Sequence, residues 1–375
     1  MFNHIDTLED LNKSIPLKEK LLTAHQVIKK NLPFIARIAV AIYDSETRVL
    51  KTFVHSSENK NPLQNYQTLI DDAPSLKEIL DKGLPRVINN LLTFNKGTNE
   101  HTQRIGRTGY LASYTMPMFN DSEFFGFLFF NSFETNVFNE KTLSQIDVFG
   151  HMLSLMIIKD ISNVQILTAA LKTTGKIAHL RDPETGSHVD RMSRYSRLIA
   201  SALAKKHDIK DDYIERIFMF SPLHDIGKIC IPDDILMKPG KLDSEEMEIM
   251  KTHTFKGRGI IDDILNNFGL DGIYHANMLR NIAEFHHEAV NGTGYPYGKK
   301  GDEIPLEARI VAVADIFDAL TSKRPYKEAW TNEAAFKLLN QLAGKKLDKE
   351  CVNAFFDNIE EIEKIQQLFN EDFYG

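Results

Sequence analysis

Five histidines and three carboxylates recur through the C-terminal half of the chain in places where a polar side chain is costly. They are Glu184 and His188 in "RDPETGSHVDRM", His224 and Asp225 in "FSPLHDIGKICIP", His253 in "EIMKTHTFKG", His286 and His287 in "EFHHEAVNGTGYPYG", and Asp315 in "ARIVAVADIFDAL". His188 leads into Met192, Tyr195 and Ile199 at helical spacing, so its imidazole falls on a stripe meant for burial and needs a partner. Pro183 and Thr185 mark a helix start that sets Glu184 and His188 at i and i+4 on one side. His224 and Asp225 are neighbours in an apolar stretch predicted to be helical, with Lys228 a turn later on the same face; a buried Asp calls for a nearby cation. His253 follows Ile249 and Met250 by one turn, and Asp315 sits among small and branched apolar residues where Asp is poor both for helix propensity and for burial. Asp318, one turn further, is either a supporting group or partly exposed. Singly, each residue reads as a satisfied core or capping group; the set of eight, all on predicted helices, reads as a metal centre.

Adjacent residues on a helix point about 100° apart, so His286 and His287 do not readily approach one ion from the same direction. Two neighbouring imidazoles suit two neighbouring metals. One four- or six-coordinate ion cannot use eight ligands, whereas two or three ions sharing a bridging carboxylate can. Asp225, beside His224 and central in the set, is the expected bridge. Nitrogen and oxygen donors without thiolate suit iron or manganese, with zinc and nickel left open. Paired divalent ions serve phosphoester displacement by activating water and by stabilising charge on the attacked and departing oxygens. Lys228 adds a point charge for a phosphate oxygen or the leaving alkoxide. The residues alone therefore reach a metal-dependent phosphoester hydrolase, without a substrate.

The surrounding chain must place these groups. At 375 residues, 42% hydrophobic and 26% charged, it suits two globular domains. "FIARIAVAIY", the turn "DSET" and "RVLKTFV" read as a hairpin, and strand-like runs follow at Arg86–Asn89, Ala112–Phe119 and Phe124–Phe133. This predicts an α/β domain with a mostly antiparallel sheet over residues 1–145. After Asn139, Leu153, Ile157, Ile161, Val164, Leu167 and Leu171 recur at spacings of three and four, predicting a long connector helix, its core at 146–174. Its apolar stripe suits either packing on a domain or a parallel coiled coil between two copies. Residues 175–375 lack strand alternation and read as all-α.

Composition narrows the function classes. The net charge of −7 argues against a surface committed to polymeric nucleic acid, which needs a basic face. The N-terminus has no apolar core of signal-peptide length, and "FFGFLFF" is far too short to span a bilayer, so a cytoplasmic protein without membrane association is expected. Cys230 and Cys351 are the only cysteines and form no CxxC, which removes thiolate metal sites and disulfide scaffolds from consideration.

The ordered set "DPETGSH", "HDIGK", His253, "HHEAVNGTGYP" and "RIVAVADIFDALTSKRPYK" resembles the HD-GYP branch of the HD superfamily of metal-dependent phosphohydrolases, from about Leu180 to Lys327. The resemblance implies an all-helical domain that hydrolyses cyclic di-GMP to pGpG, with GMP as a further product. It makes His188, His224, Asp225, His253, His286, His287 and Asp315 the metal shell, and Glu184 the residue that admits a third ion. It places Gly294, Tyr295 and Pro296 in a loop beside the metals and assigns Arg324 and Lys327, with Lys228, to substrate phosphates. Asn291 stands where Asp is more usual and Ser187 where Gly is frequent, both outside the ligand set.

Residues from about Leu17 to Lys159 resemble GAF sensory domains in the order of their elements, and the absence of cysteine there removes a thioether-linked bilin or thiolate cluster. The combined expectation is a homodimer, joined through the GAF-like domain and connector helix, that regulates a cyclic di-GMP phosphodiesterase. Two alternatives stand beside it: an HD hydrolase of another phosphoester, and a non-catalytic cyclic di-GMP sensor or scaffold.

Overall fold

The run from Arg37 to Asp44 forms β1 and returns as β2, Val49–Ser57, because Asp44 Oδ1 accepts the amides of Glu46 and Thr47 and Arg48 adopts a left-handed φ of 56°. In this computed structural model, residues 6–13, 15–57, 66–94, 109–179, 186–267, 275–322 and 328–370 are described, and the chain divides into two units, Met1–Asn163 and Val164–Gly375.

The first unit is built on one six-stranded sheet of order β3-β2-β1-β6-β5-β4, with β3 at Gln67–Leu69, β4 at Arg86–Ile88, β5 at Ala112–Asn120 and β6 at Glu123–Ser132. Every pairing is antiparallel, as expected of the predicted α/β domain; β3, only three residues long, gives too little alternation to be read from sequence. Two helices precede and interrupt the strands, α1 at Leu17–Asn31 and α2 at Pro74–Lys82. Side chains alternate across the pleat. On one face His25 of α1 binds Ser56 Oγ and the Ile35 carbonyl, at 2.7 and 2.9 Å. The same face meets the long helix α3, Glu140–His179, where a Cβ on Gly150 would come within 2.6 Å of Met116 Sδ. On the opposite face Leu76 and Ile79 of α2 bury against Leu50 and Phe127.

The second unit is helical, with the following helices among its described residues: α4 (Gly186–His207), α5 (Asp211–Phe220), α6 (Asp233–Leu236), α7 (Ser244–Lys251), α8 (His253–Asn267), α9 (Ala276–Phe285), α10 (Leu306–Thr321), α11 (Asn332–Leu342), α12 (Lys349–Phe356) and α13 (Ile359–Leu368). The predicted stripe of α4 is buried, with Met192, Tyr195 and Ile199 each at 0% exposure. Tyr195 meets Phe317 of α10 and Phe355 of α12 edge-on at 5.4 and 5.5 Å. This contact locks the helix that carries His188 to the helix that carries Asp315. No helix among the described residues is long and apolar enough to cross a membrane.

Candidate metal centre

Five segments meet at the predicted ligands. α4 brings His188, α10 brings Asp315, and His253 is the first residue of α8. The expectation that all the ligands lie inside helices is corrected at two points. Around Pro222, whose ring cannot continue a helical ladder, the chain breaks into 3-10 turns at Ser221–Leu223 and Ile226–Cys230, and His224 and Asp225 fall between them. His286 is the C-terminal cap of α9 and His287 lies just beyond it, so the two rings are free of strict helical angles and sit with centroids 4.1 Å apart.

The donors form two groups, Asp225 with His253, His286 and His287, and His188 with His224 and Asp315; within each, the donor atoms lie within 4.8 Å of one another. Asp225 faces both. Its Oδ1 is 3.1 Å from His253 Nε2 and 3.4 Å from His286 Nε2, while Oδ2 is 3.3 Å from His224 Nε2. Asp315 Oδ1 lies 3.8 Å from His224 Nε2 and 3.9 Å from His188 Nε2. One carboxylate that presents an oxygen to each of two donor clusters has the disposition of a bridge between two ions.

The histidines are held in the tautomer that ligation needs. Nδ1 of His224 is 2.9 Å from the Ser221 carbonyl, Nδ1 of His253 is 2.8 Å from that of Met250, and Nδ1 of His286 is 2.9 Å from that of Ile282. A carbonyl only accepts, so each Nδ1 carries the proton and Nε2 turns a lone pair to the centre. His188 is fixed by a carboxylate instead, with Nδ1 2.7 Å from Asp318 Oδ2. The Nε2 atoms of His253 and His286 and Asp225 Oδ1 are buried with no hydrogen-bond partner. Orphaned acceptors are costly in a protein interior, and divalent cations would satisfy them. The donor set fits such ions.

The electrostatics agree with that fit. Burial opposes ionisation of Asp225, yet its neighbours, the Lys228 ammonium foremost, outweigh it and hold the carboxyl well below its usual range. Burial pushes the His286 imidazole down, and burial with the neighbouring His286 pushes His287 well down, so both rings stay neutral and able to donate electron pairs. Lys228 Nζ is 2.8 Å from Asp225 Oδ2.

The loop after His287 closes over this side of the centre. The Tyr295 ring lies 4.7 Å from that of His287, and the Tyr295 amide donates to the His287 carbonyl at 3.2 Å. A Cβ on Gly294 would fall 2.2 Å from the Ala289 amide nitrogen, so only glycine lets the loop turn this tightly. Tyr295–Pro296 is a cis peptide bond. Buried Glu288 accepts the amides of Tyr297 and Lys299 at 2.7 and 3.0 Å, and Asn291 Oδ1 accepts from the Thr293 amide and hydroxyl, at 3.0 and 2.7 Å.

Glu184, Arg324 and Lys327 lie outside the described residues. Two supports of the site escaped the sequence reading. Asp318, left undecided there, is fully buried and receives Arg191 Nε at 2.7 Å and Ser322 Oγ at 2.8 Å besides holding His188. Its spacing of three from Asp315 was the available signal. The other is Gly227, where a Cβ would lie 1.9 Å from the His253 carbonyl oxygen and 2.5 Å from the Gly257 amide nitrogen. Nothing local in the sequence marks that approach.

Comparison with known proteins bears on the second unit. Residues 173–351 match the family described as "HD domain". Over 200 residues the chain is 43% identical to a cyclic di-GMP phosphodiesterase response regulator of Xanthomonas campestris, covering 53% of this chain and 50% of that protein. It is 41% identical to a cyclic di-GMP phosphodiesterase of Thermotoga maritima over 52% of this chain and 50% of the relative. It is 38% identical to a 3'3'-cGAMP-specific phosphodiesterase of Vibrio cholerae over 48% and 33%. The chain thus spans half or less of the length of these relatives. Among solved structures, the GAF domain of an Acinetobacter phosphoenolpyruvate-protein phosphotransferase aligns over 42% of this chain at a TM-score of 0.34 and 12% identity, a likeness too slight to support a conclusion.

Proposed function

We propose that the chain, whose residues 173–351 match the HD domain family, is a metal-dependent phosphodiesterase that hydrolyses cyclic di-GMP to pGpG and onward to GMP. The observation that carries the reading is Asp225, one carboxylate turned toward two clusters of donor atoms. His253, His286 and His287 would hold one ion with it, and His188, His224 and Asp315 a second; iron is the first choice, then manganese, with zinc or nickel less suited. Glu184 would add a carboxylate for a third ion. Bound divalent ions supply Lewis acidity and a water of lowered pKa. The chain's own part is to orient. Lys228, anchored on Asp225, sets an ammonium where a phosphate oxygen or departing alkoxide would lie. Gly294, Tyr295 and Pro296 form the wall beside His287, and Arg324 and Lys327 add charge for the second phosphate.

The N-terminal unit is read as a GAF-like regulatory domain and the protein as a cytoplasmic homodimer without membrane or nucleic-acid partners. The predicted stripe of α3 is buried at Leu153, Ile157, Ile161 and Val164, so support for the dimer comes instead from Val148, Leu155 and Ile166 of the same helix, which are 69%, 70% and 65% exposed. A second substrate, 3'3'-cGAMP, is kept in view because a relative specific for it is 38% identical. The test is product analysis on anaerobically purified protein loaded with Fe(II), beside a metal-stripped control, with each cyclic dinucleotide in turn. Formation of pGpG or GMP only with metal is expected. Faster turnover of 3'3'-cGAMP would exchange the substrate, and tight binding without cleavage in either iron- or manganese-loaded protein would reduce the chain to a sensor.

A further inference from the structure

Glu284 stands two residues ahead of His286, in the last turn of α9, and is only 4% exposed. A carboxylate taken out of water is costly unless its oxygens are matched, and here two different segments match them. Oε2 receives Nη1 of Arg258 from α8, the helix whose first residue is His253. Oε1 receives the hydroxyl of Tyr297 at 2.7 Å. Arg258 also approaches Asp262 Oδ2, one turn further along α8, at 3.6 Å. Arg258, Glu284 and Tyr297 all fall outside the ordered motifs on which the family resemblance rests.

Tyr297 is the unusual member of the three. It is 60% exposed, so its ring gains little from burial, yet its hydroxyl reaches a buried carboxylate and makes a hydrogen bond of the strong, charge-assisted kind. Its amide is held as well, by Glu288 at 2.7 Å, and Glu288 takes the Lys299 amide at 3.0 Å. Glu284 and Glu288 flank His286 and His287 in the chain, so the segment that supplies these two donors grips Tyr297 at both its backbone and its phenol. Two residues earlier, the Tyr295 ring lies 4.7 Å from that of His287 and 6.3 Å from that of His253. Where Tyr295 sits therefore depends on how the chain is held beyond Pro296. The Glu288 contacts tie the loop only to the segment it grows from, whereas Glu284 adds α8 through Arg258.

We infer that Glu284 is a positioning residue, clamping the wall of Gly294, Tyr295 and Pro296 through Tyr297 to the two helices that end at His253 and His286. The inference deepens the phosphodiesterase reading and rests on it for the identity of the substrate. Neither Glu284 nor Tyr297 belongs to a donor cluster, so loosening the clamp changes how the substrate is gripped and leaves the metals in place.

The test begins with Tyr297→Phe, which removes one hydroxyl from an exposed ring. On the metal-loaded full chain, KM for cyclic di-GMP should rise about tenfold, the loss of one charge-assisted hydrogen bond, with kcat and metal content within about twofold of the unaltered protein. Amide exchange read by mass spectrometry on the same metal-loaded protein without substrate should quicken about tenfold at residues 292–300 and not elsewhere. Glu284→Ala should give the same pattern, and adding Tyr297→Phe to it should change KM by less than about twofold, since both act through one contact. If Glu284→Ala does not fold, Tyr297→Phe decides alone. Unaltered KM or unaltered loop exchange in Tyr297→Phe would overturn the inference, as would a joint fall in kcat and metal content, which would make the contact a support of the metals. If the unaltered protein cleaves no cyclic dinucleotide, the phosphodiesterase reading fails, and loop exchange in Tyr297→Phe tests the clamp by itself: faster exchange upholds it and unchanged exchange removes it.

Discussion

Gly227 is seated so closely on His253 that a single added methyl would overlap the His253 carbonyl oxygen, at 1.9 Å. The turn that follows Asp225 is thereby docked on the first turn of α8, and the spacing of Asp225 from His253, 3.1 Å between Oδ1 and Nε2, depends on that approach. Gly227→Ala has no flexible neighbour to displace, only backbone. It should separate the two segments, lower bound metal well below that of the unaltered protein and reduce turnover by about a hundredfold, as misplacement of a reacting centre by an ångström does. Metal analysis and steady-state kinetics on the same sample check it, with circular dichroism confirming that the fold persists.

Asp225→Asn keeps the shape and removes the charge that two donor clusters share. Loss of metal from the centre and a fall in turnover by about a thousandfold or more are expected. An undiminished rate would reject the assignment of the centre.

Lys228→Met separates charge from metal retention. The Nζ of Lys228 contacts Asp225 but belongs to neither donor cluster. Metal content should hold while kcat falls about a hundredfold, the loss typical of one electrostatic donor. Equal loss of metal would show that Lys228 serves the centre rather than the substrate.

Asp318 fixes His188 and accepts both Nε and Nη2 of Arg191, at 2.7 and 2.9 Å. Asp318→Asn should weaken metal affinity by about ten- to a hundredfold through His188. It should also cost about 3–5 kcal/mol of stability, because Arg191 is left as a buried charge. Metal titration and urea unfolding of the metal-free protein read the two effects separately.

Asp348 gives a pH dependence remote from the centre. Half burial opposes its ionisation, but the Cys351 amide, Arg309 and the Glu350 amide outweigh that and hold its pKa below the ordinary carboxylate value. A depressed folded pKa stabilises the protein fully above the unfolded pKa, and that contribution disappears as pH falls through the folded one. Asp348→Asn should therefore lower stability at neutral pH by about 1–2 kcal/mol, with the gap to the unaltered protein narrowing below about pH 4. Urea unfolding at pH 7 and pH 3 measures it.

Much of the centre was legible in the sequence because burial of polar groups is expensive and patterns expose it. His188 continues a buried stripe, Asp225 sits in an apolar run, and Asp315 interrupts small branched residues, so each announced a partner before any fold was known. The hairpin of β1 and β2 and the long helix after Asn139 were legible for the related reason that periodicity of apolar residues is local. What tertiary structure decided is which atoms meet. That Asp225 turns one oxygen to His253 and the other to His224, that Asp318 rather than solvent holds His188, and that Gly227 must lack a side chain all follow from contacts between segments far apart in the chain. The sheet behaves likewise: Arg37 and Arg86 look like ordinary surface charges in sequence, and only the register of β1, β6, β5 and β4 brings them to one face. Propensity and patterning act over a few residues, whereas the convergence of side chains is set by how helices and strands pack, and that information is carried by no single stretch.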